Sequence, residues 1–188
     1  MANETGIANA ALTLLGAERI AVITEDTENA RKVLAIKDTV RKAVLRKAFW
    51  KFALVEIALA RKTEVPVLDG YTSIFQLPPD YIRMKTTSLP EGTGYRIKGR
   101  RVYCNAVTLS IEYVADIVDP NEWDAGFTEA YIMALAEGLA YSITTNATMA
   151  DGVSKKARLA LNEGRSVNSQ EDTPEKPRQG SWIRSRSA

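Results

Sequence analysis

Two groups of carboxylates are the densest collections of potentially catalytic or metal-binding side chains in this chain. They are Glu25, Asp26 and Glu28, followed later by Asp116, Asp119, Glu122 and Asp124. Paired carboxylates can perform general acid–base catalysis or bind a hard cation such as Ca²⁺. Neither group has the Asp-x-Asp-x-Asp-Gly spacing of a calcium loop, and the first precedes a predicted helix whose positive end such charges stabilise. We therefore interpret both groups as structural.

The absence of histidine excludes several common kinds of active site. The sequence contains no histidine and a single cysteine, Cys104. Without histidine there is no His-dependent triad, no His metal site and no usual general base near neutral pH. One cysteine cannot form an intrachain disulfide or a cysteine-based zinc or iron–sulfur site. Because Cys104 lies in a predicted strand, we expect a small packed side chain there.

Glycine and serine motifs give no enzyme signature either. The sequence Gly92-Thr93-Gly94 lacks the following helix and the Gly-Lys-Ser/Thr ending of a phosphate-binding loop, so a β-turn is the simpler interpretation. No serine lies in a Gly-x-Ser-x-Gly elbow. The sequence therefore predicts a protein that is not an enzyme and that binds no metal or cofactor. A small-molecule enzyme is the least favoured alternative.

Basic residues are concentrated in residues 31–51. The bases there are Arg31, Lys32, Lys37, Arg41, Lys42, Arg46, Lys47 and Lys51, against one acid, Asp38. At 100° per residue, the bases up to Arg46 surround an apolar stripe on its flanks and back and do not form one row. Two interpretations stay open. One is a solvated helix surface with favourable contacts at its C-terminal dipole, and the other is contact with an acidic partner protein or passing DNA.

A second basic cluster lies at the tip of a predicted hairpin. Its members are Lys98, Arg100 and Arg101. A hairpin tip can present charge to a partner, but no aromatic residue is interleaved here to stack on nucleic-acid bases. The cluster therefore predicts contact with a partner without specific recognition of nucleic acid.

The C-terminal residues 165–188 have the composition of a flexible tail, rich in Ser, Asn, Gln, Glu, Asp, Pro and Arg. Trp182 and Ile183 are exceptions, because such segments are usually poor in aromatic residues. Extended at ~3.3 Å per residue, the tether from Arg165 to Trp182 reaches roughly 55 Å. Burial of the indole stabilises docking by about 5 kcal/mol before ordering costs. Ordering the segment costs several kcal/mol, so a single tail docks weakly. Many identical tails in a ring would together bind tightly. The alternative is an accidental exposed tryptophan in a frayed end.

Hydrophobic periodicity predicts helices in the first and last thirds of the folded region. The expected helices are 7–15, stopped by Gly16, then about 27–47, a third helix or bent continuation over 49–60, a helix after Asp119-Pro120, and a short helix over 151–161 that ends near Gly164. We expect Phe127, Tyr131, Leu135 and Leu139 to form the apolar face of the helix after Pro120. This face has more apolar surface than one small bundle needs, which suits oligomerisation.

The middle of the chain predicts strands. Residues 71–77 and 81–89 are β-prone, residues 95–97 and 102–104 flank a loop with Gly99, and residues 107–113 alternate apolar and polar side chains. The fold class is therefore α+β, a helical bundle with a β-rich insertion that projects as a small antiparallel sheet. We expect bundle segments at 1–64 and 119–164, the insertion at 65–118 and an extended C-terminal arm at 165–188.

Charge and hydropathy limit the partners. Lys and Arg total 25 against 23 Asp and Glu, so the net charge is +2 and any nucleic-acid contact depends on local clusters. No apolar run reaches the ~18–20 residues of a membrane span, and the N-terminus lacks the basic and apolar regions of a signal peptide. We expect a protein made in a reducing cytosol that does not insert into a membrane.

Several segments, taken in order, resemble tailed-bacteriophage head-to-tail adaptors of the tail tubular protein A type. They are AALTLLG at 10–16, ENAR at 28–31, FWKFA at 49–53, FQLPPDYIR at 75–83, IKGRRVY at 97–103, IEYV at 111–114, DP at 119–120 and FTEA at 127–130. The closing SWIRSR at 181–186 is similar to the C-terminal end of many such proteins. The resemblance covers about residues 7–164 together with this end.

The resemblance implies a structural virion protein without catalysis, located in the tail or neck and made in the host bacterial cytoplasm. It implies a ring, usually of twelve copies, between the portal protein and the next tail component, with a channel for double-stranded DNA. The C-terminal arm of the family commonly reaches the portal, which implies that role for Trp182, Ile183, Arg184 and Arg186. The hairpin with Lys98, Arg100 and Arg101 would face the tail side.

Two other functions compete with this one. The first is a DNA-binding accessory protein that uses the basic helix at 31–51. The second is a different phage ring, such as a tail terminator or stopper, which would lack the long tryptophan-ended arm.

Overall fold

The computed structural model describes residues 3–64, 66 and 70–170. Helices in this part are α1 (Glu4–Leu14), α2 (Glu28–Lys47), α3 (Ala125–Thr144) and α4 (Ala147–Gln170). Strands are β1 (Leu54–Ala58), β2 (Ser73–Gln76), β3 (Tyr81–Thr87), β4 (Arg96–Lys98), β5 (Arg101–Cys104) and β6 (Ser110–Ala115). The predicted class is confirmed: a helical bundle is combined with small antiparallel sheets in an α+β fold.

Helix α2 matches its predicted bounds closely, whereas α1 begins at Glu4, three residues before the predicted start at residue 7. The side chain of Thr27 accepts a hydrogen bond from the backbone N–H of Ala30 and caps α2. Helix α1 is followed by Gly16, whose φ of +67° is the left-handed conformation that glycine adopts most easily. Both helices therefore owe their limits to local sequence signals.

Helix α3 starts later than predicted. Asp119 and Pro120 open only a short 3-10 turn, and the α-helix begins at Ala125 after Asp124, whose carboxylate accepts from the backbone N–H of Phe127 at 2.6 Å. The predicted apolar face of α3 is buried within its own chain, because Phe127, Tyr131, Leu135 and Leu139 are each at most 5% exposed. The surface that we expected to remain for oligomerisation on this face is used inside the bundle.

Helix α4 is longer than predicted, and the reason lies in Gly164. The expected helix stopped near this glycine, and the arm was expected from residue 165, whereas α4 continues to Gln170. A Cβ atom on Gly164 would lie 3.0 Å from the carbonyl oxygen of Gly126 and 3.1 Å from the indole of Trp50. Gly164 is therefore a close-packing residue between α4 and α3, and not a helix terminator.

The third helix predicted over residues 49–60 is wrong. Lys51–Ala53 forms a 3-10 turn, and β1 follows it at once. Strand β1 pairs antiparallel with β6, with Leu54 opposite Val114 and Ala58 opposite Ser110. This pairing partner is about 60 residues away in the chain, and it places a strand inside the segment 1–64 that we assigned to the bundle.

The strands form two three-stranded antiparallel sheets in the described residues, with orders β1-β6-β3 and β2-β5-β4. The predicted hairpin is confirmed as β4 and β5, with Gly99 at a φ of +61° in its turn. Residues 109–113 alternate as predicted, since Leu109, Ile111 and Tyr113 are buried. Val107, by contrast, precedes the strand and is 75% exposed.

The bundle and the first sheet share one hydrophobic core. Trp50, Val114 and Phe127 are fully buried in a single cluster. The rings of Trp50 and Phe127 meet edge to face with centroids 5.2 Å apart. The β-rich part therefore packs directly on the helices, while a separate cluster that includes Phe75, Val102 and Leu109 holds the two sheets together.

Candidate interaction surfaces

The residues predicted to dock on the portal lie outside the described part of the chain. Trp182, Ile183, Arg184 and Arg186 all follow Gln170, the last described residue. The structure fixes only the point from which this segment departs, which is the C-terminal end of α4. Residues 165–170 of the predicted arm belong to that helix.

The predicted tail-side hairpin uses two of its three bases inside the chain. Arg101 donates to the carboxylate of Glu64 at 2.8 Å, and Arg100 donates to the backbone carbonyl of Pro78. Lys98 is exposed at the tip, and no residue of the described ranges pairs with it. The hairpin therefore presents less free charge than its sequence indicates.

The basic residues of α2 are also mostly paired within the chain. Lys37 bonds both carboxylate oxygens of Glu4 at 2.9–3.0 Å. Lys32 pairs with Glu28 at 2.6 Å and donates to the carbonyl of Ser142. These contacts join α2 to α1 and to the end of α3, so they support the structural interpretation of this cluster over most of its length.

Arg41 is the buried member of the cluster and links the bundle to the sheet. Its side chain is only 5% exposed. It donates to Asp116, just after β6, through Nε at 2.8 Å and Nη2 at 3.1 Å, and to Asp38 at 2.5 Å. Burial by itself would lower the pKa of Arg41, but the hydrogen bonds and charges of Asp116 and Asp38 outweigh it and raise the pKa. Arg41 therefore connects α2 to the end of β6 through ion pairs and is not available to a partner.

The other candidate chemical groups also have structural partners. Glu25 accepts from the backbone N–H groups of Ala21 and Val22, and hydrogen bonding, first from Thr27, lowers its pKa. Cys104 is fully buried, as predicted. Within residues 3–64, 66 and 70–170, no group of three or more acidic or cysteine side chains is placed to hold a metal ion.

Two buried tyrosines have strongly raised pKa values. Burial, followed by the charge of Asp80 and a hydrogen bond to it, raises the pKa of Tyr113 to about 12. Burial raises the pKa of Tyr131 to about 12, and its hydroxyl donates to the carbonyl of Lys37 at 3.0 Å. We interpret both hydroxyls as structural, because one is held by the carboxylate of Asp80 and the other by a backbone carbonyl.

A basic cleft of about 590 Å³ lies where the ends of α2 and α4 meet β3. It is lined by Lys47, Ala48, Phe49, Leu54, Arg83, Lys85, Asn162, Arg165, Ser166, Asn168 and Ser169. No acidic side chain of the described residues lines it, although Lys85 pairs with Glu112 nearby at 3.0 Å. Arg83 lies 4.2 Å from the centroid of the Phe49 ring, which fixes its guanidinium over an aromatic face.

Sequence reasoning missed this cleft because it joins three distant segments. Only Lys47 belonged to the predicted basic cluster. A signal was present in α4, where Asn162, Arg165, Ser166 and Ser169 lie at helical spacing on one side. Because we expected the helix to end near Gly164, these four residues were not seen as one side of a single helix.

An apolar groove of about 960 Å³ lies between α1 and α3. It is lined by Gly6, Asn9, Ala10, Thr13, Leu14, Arg19, Trp123, Ala125, Thr128, Glu129, Ile132 and Met133. Trp123 forms a fixed wall, since its Nε1 donates to the carbonyl of Ile117 at 3.0 Å and its ring packs on Phe127 and Tyr131. We call this surface the α1–α3 groove.

Comparison with known proteins adds no identity. No protein-family model matches the sequence, and no curated protein matches it significantly. Within the described ranges, no helix combines the length and hydropathy needed to cross a bilayer.

Proposed function

We propose that the protein is a head-to-tail adaptor of a tailed bacteriophage. Twelve copies would form a ring between the portal protein and the next tail component and line part of the channel through which double-stranded DNA leaves the head. The protein would act in the neck or tail of the virion after synthesis in the host cytoplasm, without a cofactor and without catalysis.

The order of sequence motifs carries this proposal. Support comes from the positions of these motifs, since several of them lie where one element of the fold meets the next. AALTLLG ends α1, FWKFA lies between α2 and β1, and IKGRRVY spans the β4–β5 hairpin. The motif DP opens the turn before α3. A helical bundle with strands inserted between α2 and α3 is the architecture that the resemblance implies.

The charge distribution is compatible with a DNA channel. A strongly basic lumen would hold phosphates tightly, because each phosphate contact releases counterions and adds affinity. Most bases of α2 are paired with acids of the same chain, and the net charge is +2. A ring of such chains would let DNA slide through it.

The role of the arm can be tested by truncation. Deleting residues 179–188 should leave the fold intact by circular dichroism and abolish co-sedimentation with the portal protein of the same virus. Trp182→Ala should weaken this binding at least tenfold, because one indole supplies much of the apolar contact. Lys176→Ala is the matched control, and portal binding that survives the deletion would refute the arm's role.

The basic cleft favours one alternative function, a DNA-binding accessory protein. If the cleft binds duplex phosphates, Lys47→Gln with Arg165→Gln should reduce the slope of log affinity against log salt by about 1.8, or ~0.9 per contact. Arg31→Gln with Lys98→Gln removes the same charge elsewhere and serves as the control. Equal slopes for the two variants, or no duplex binding at 50 mM salt, would exclude this function.

A further inference from the structure

We propose that Trp182 and Ile183 dock into the α1–α3 groove of their own chain. The segment that follows Gln170 would then fold back over the open side of the bundle. This inference does not depend on the proposed function, because it concerns only two parts of one polypeptide.

The groove is within reach of the segment. Gly164 of α4 packs against Gly126 at the start of α3, where a Cβ on Gly126 would lie 3.3 Å from the Cα of Gly164. Gln170 is therefore about 9 Å beyond that point along α4, at ~1.5 Å per residue. The groove begins at the same end of α3, at Ala125. Residues 171–181 can extend over roughly 36 Å at ~3.3 Å per residue, which is about four times the ~9 Å between Gln170 and this end of α3.

The chemistry of the segment matches that of the groove. Trp182 and Ile183 are the only large apolar side chains after residue 170. The groove offers Leu14, Ile132 and Met133 beside the fixed ring of Trp123. Leu14 lines this groove and is 39% exposed. A tryptophan and an isoleucine would cover this apolar surface.

Charge gives the segment a direction in the groove. Glu129 is the one acidic residue among the lining side chains, and Arg19, on the α1 side, is the one basic residue. Glu129 is exposed, and no residue of the described ranges pairs with it. Glu129 and Met133 are four residues apart on α3 and so lie on the same side of the helix. With Ile183 against Met133, the neighbouring Arg184 comes within reach of Glu129, and Arg186 lies one further step along the segment.

The tether favours the groove of the same chain over that of a second copy. A connection of this length holds its end near an intramolecular site at an effective concentration of about 1 mM, far above the micromolar concentration of free copies. If the protein is an adaptor, docking keeps the arm on its own subunit until the portal displaces it.

Disulfide trapping tests the contact in the full-length chain. Met133→Cys with Ile183→Cys, exposed to oxidised glutathione at micromolar protein, should form an intramolecular disulfide, seen as a faster band on a non-reducing gel and a mass loss of two hydrogens. The matched control is Leu159→Cys with Ile183→Cys, because Leu159 is 61% exposed and also within the tether's reach. Cys104 can stay in place because it is fully buried.

We expect the Met133 pair to cross-link at least tenfold faster than the Leu159 pair. Adding Glu129→Arg should remove this advantage, and Arg184→Glu with Arg186→Glu in the same chain should restore it. Glu163→Arg, a charge reversal at an exposed residue of α4, should leave the rate unchanged. Equal rates for the two cysteine pairs would overturn the proposal, and so would cross-linked dimers as the main product, which would assign the groove to another copy.

Discussion

Replacing Arg41 by methionine should destabilise the protein far more than the same replacement at Arg31. Both residues belong to the basic cluster of α2, and the sequence does not distinguish them. The structure does, because the ion pair of Arg41 is buried whereas the side chains of Arg31 and Asp26 are 62% and 90% exposed.

The loss of stability depends on the carboxylate that remains after the replacement. Arg41→Met leaves Asp116, whose side chain is 13% exposed, with Lys42 at 3.6 Å as its remaining ion-pair partner in the described residues. Removing one partner of a buried pair costs about 3–5 kcal/mol, and the residual contact with Lys42 places this case near 3 kcal/mol. Arg31→Met should cost less than about 0.5 kcal/mol, because an exposed pair contributes little.

Urea unfolding followed by circular dichroism measures both changes, provided that the slope with denaturant is unchanged. The double variant Arg41→Met with Asp116→Leu completes the cycle. It should recover to within about 1 kcal/mol of the parent protein, since an apolar pair of similar volume replaces the charges. A loss below about 1 kcal/mol for Arg41→Met alone would refute the view that this residue joins the bundle to the sheet.

Three further changes test other parts of the fold. Gly164→Ala should lower the free energy of unfolding by about 1–2 kcal/mol through overpacking. Gly152→Ala, with nothing within 4 Å of the added Cβ, should raise it by up to about 1 kcal/mol through helix propensity, and chemical denaturation measures both. The pKa of Tyr113 is about 12 in the folded protein against 10.0 for an ordinary tyrosine, so it contributes stability that is full below pH 10 and is lost as the pH rises to 12. Tyr113→Phe should therefore reduce the fall in stability between pH 10 and 12, as measured by thermal melts at each pH. Asn9→Ala should cost about 1–3 kcal/mol, since its amide bonds both backbone groups of Ile20 at 2.8 Å, and an unchanged melting temperature would contradict that role.

Local signals in the sequence are sufficient for much of this fold. Gly16 follows α1 as expected, α2 begins within one residue of its predicted start, and the loop at Gly99 forms the predicted hairpin. These features depend on neighbours a few residues away. Strand β1 does not, because residues 54–58 are mostly apolar, with Glu56 as the one charged residue, and their short pattern does not separate a strand from a helix; pairing with β6 decides it.

The candidate surfaces were harder to predict because they depend on distant partners. Lys37 and Arg41 appear free in the sequence, but Glu4 and Asp116 are brought to them by folding. The basic cleft arises in the same way, when Arg83 and Arg165 meet the end of α2. Residue types identify possible charges, and the tertiary structure decides which of them remain available.

Negative-stain electron microscopy of the protein mixed with the portal protein of its proposed phage tests the central claim most directly. The adaptor account predicts rings stacked coaxially on the portal, in which the copies can be counted, with twelve expected. A protein that stays monomeric beside the portal and instead shifts duplex DNA at low salt would contradict it.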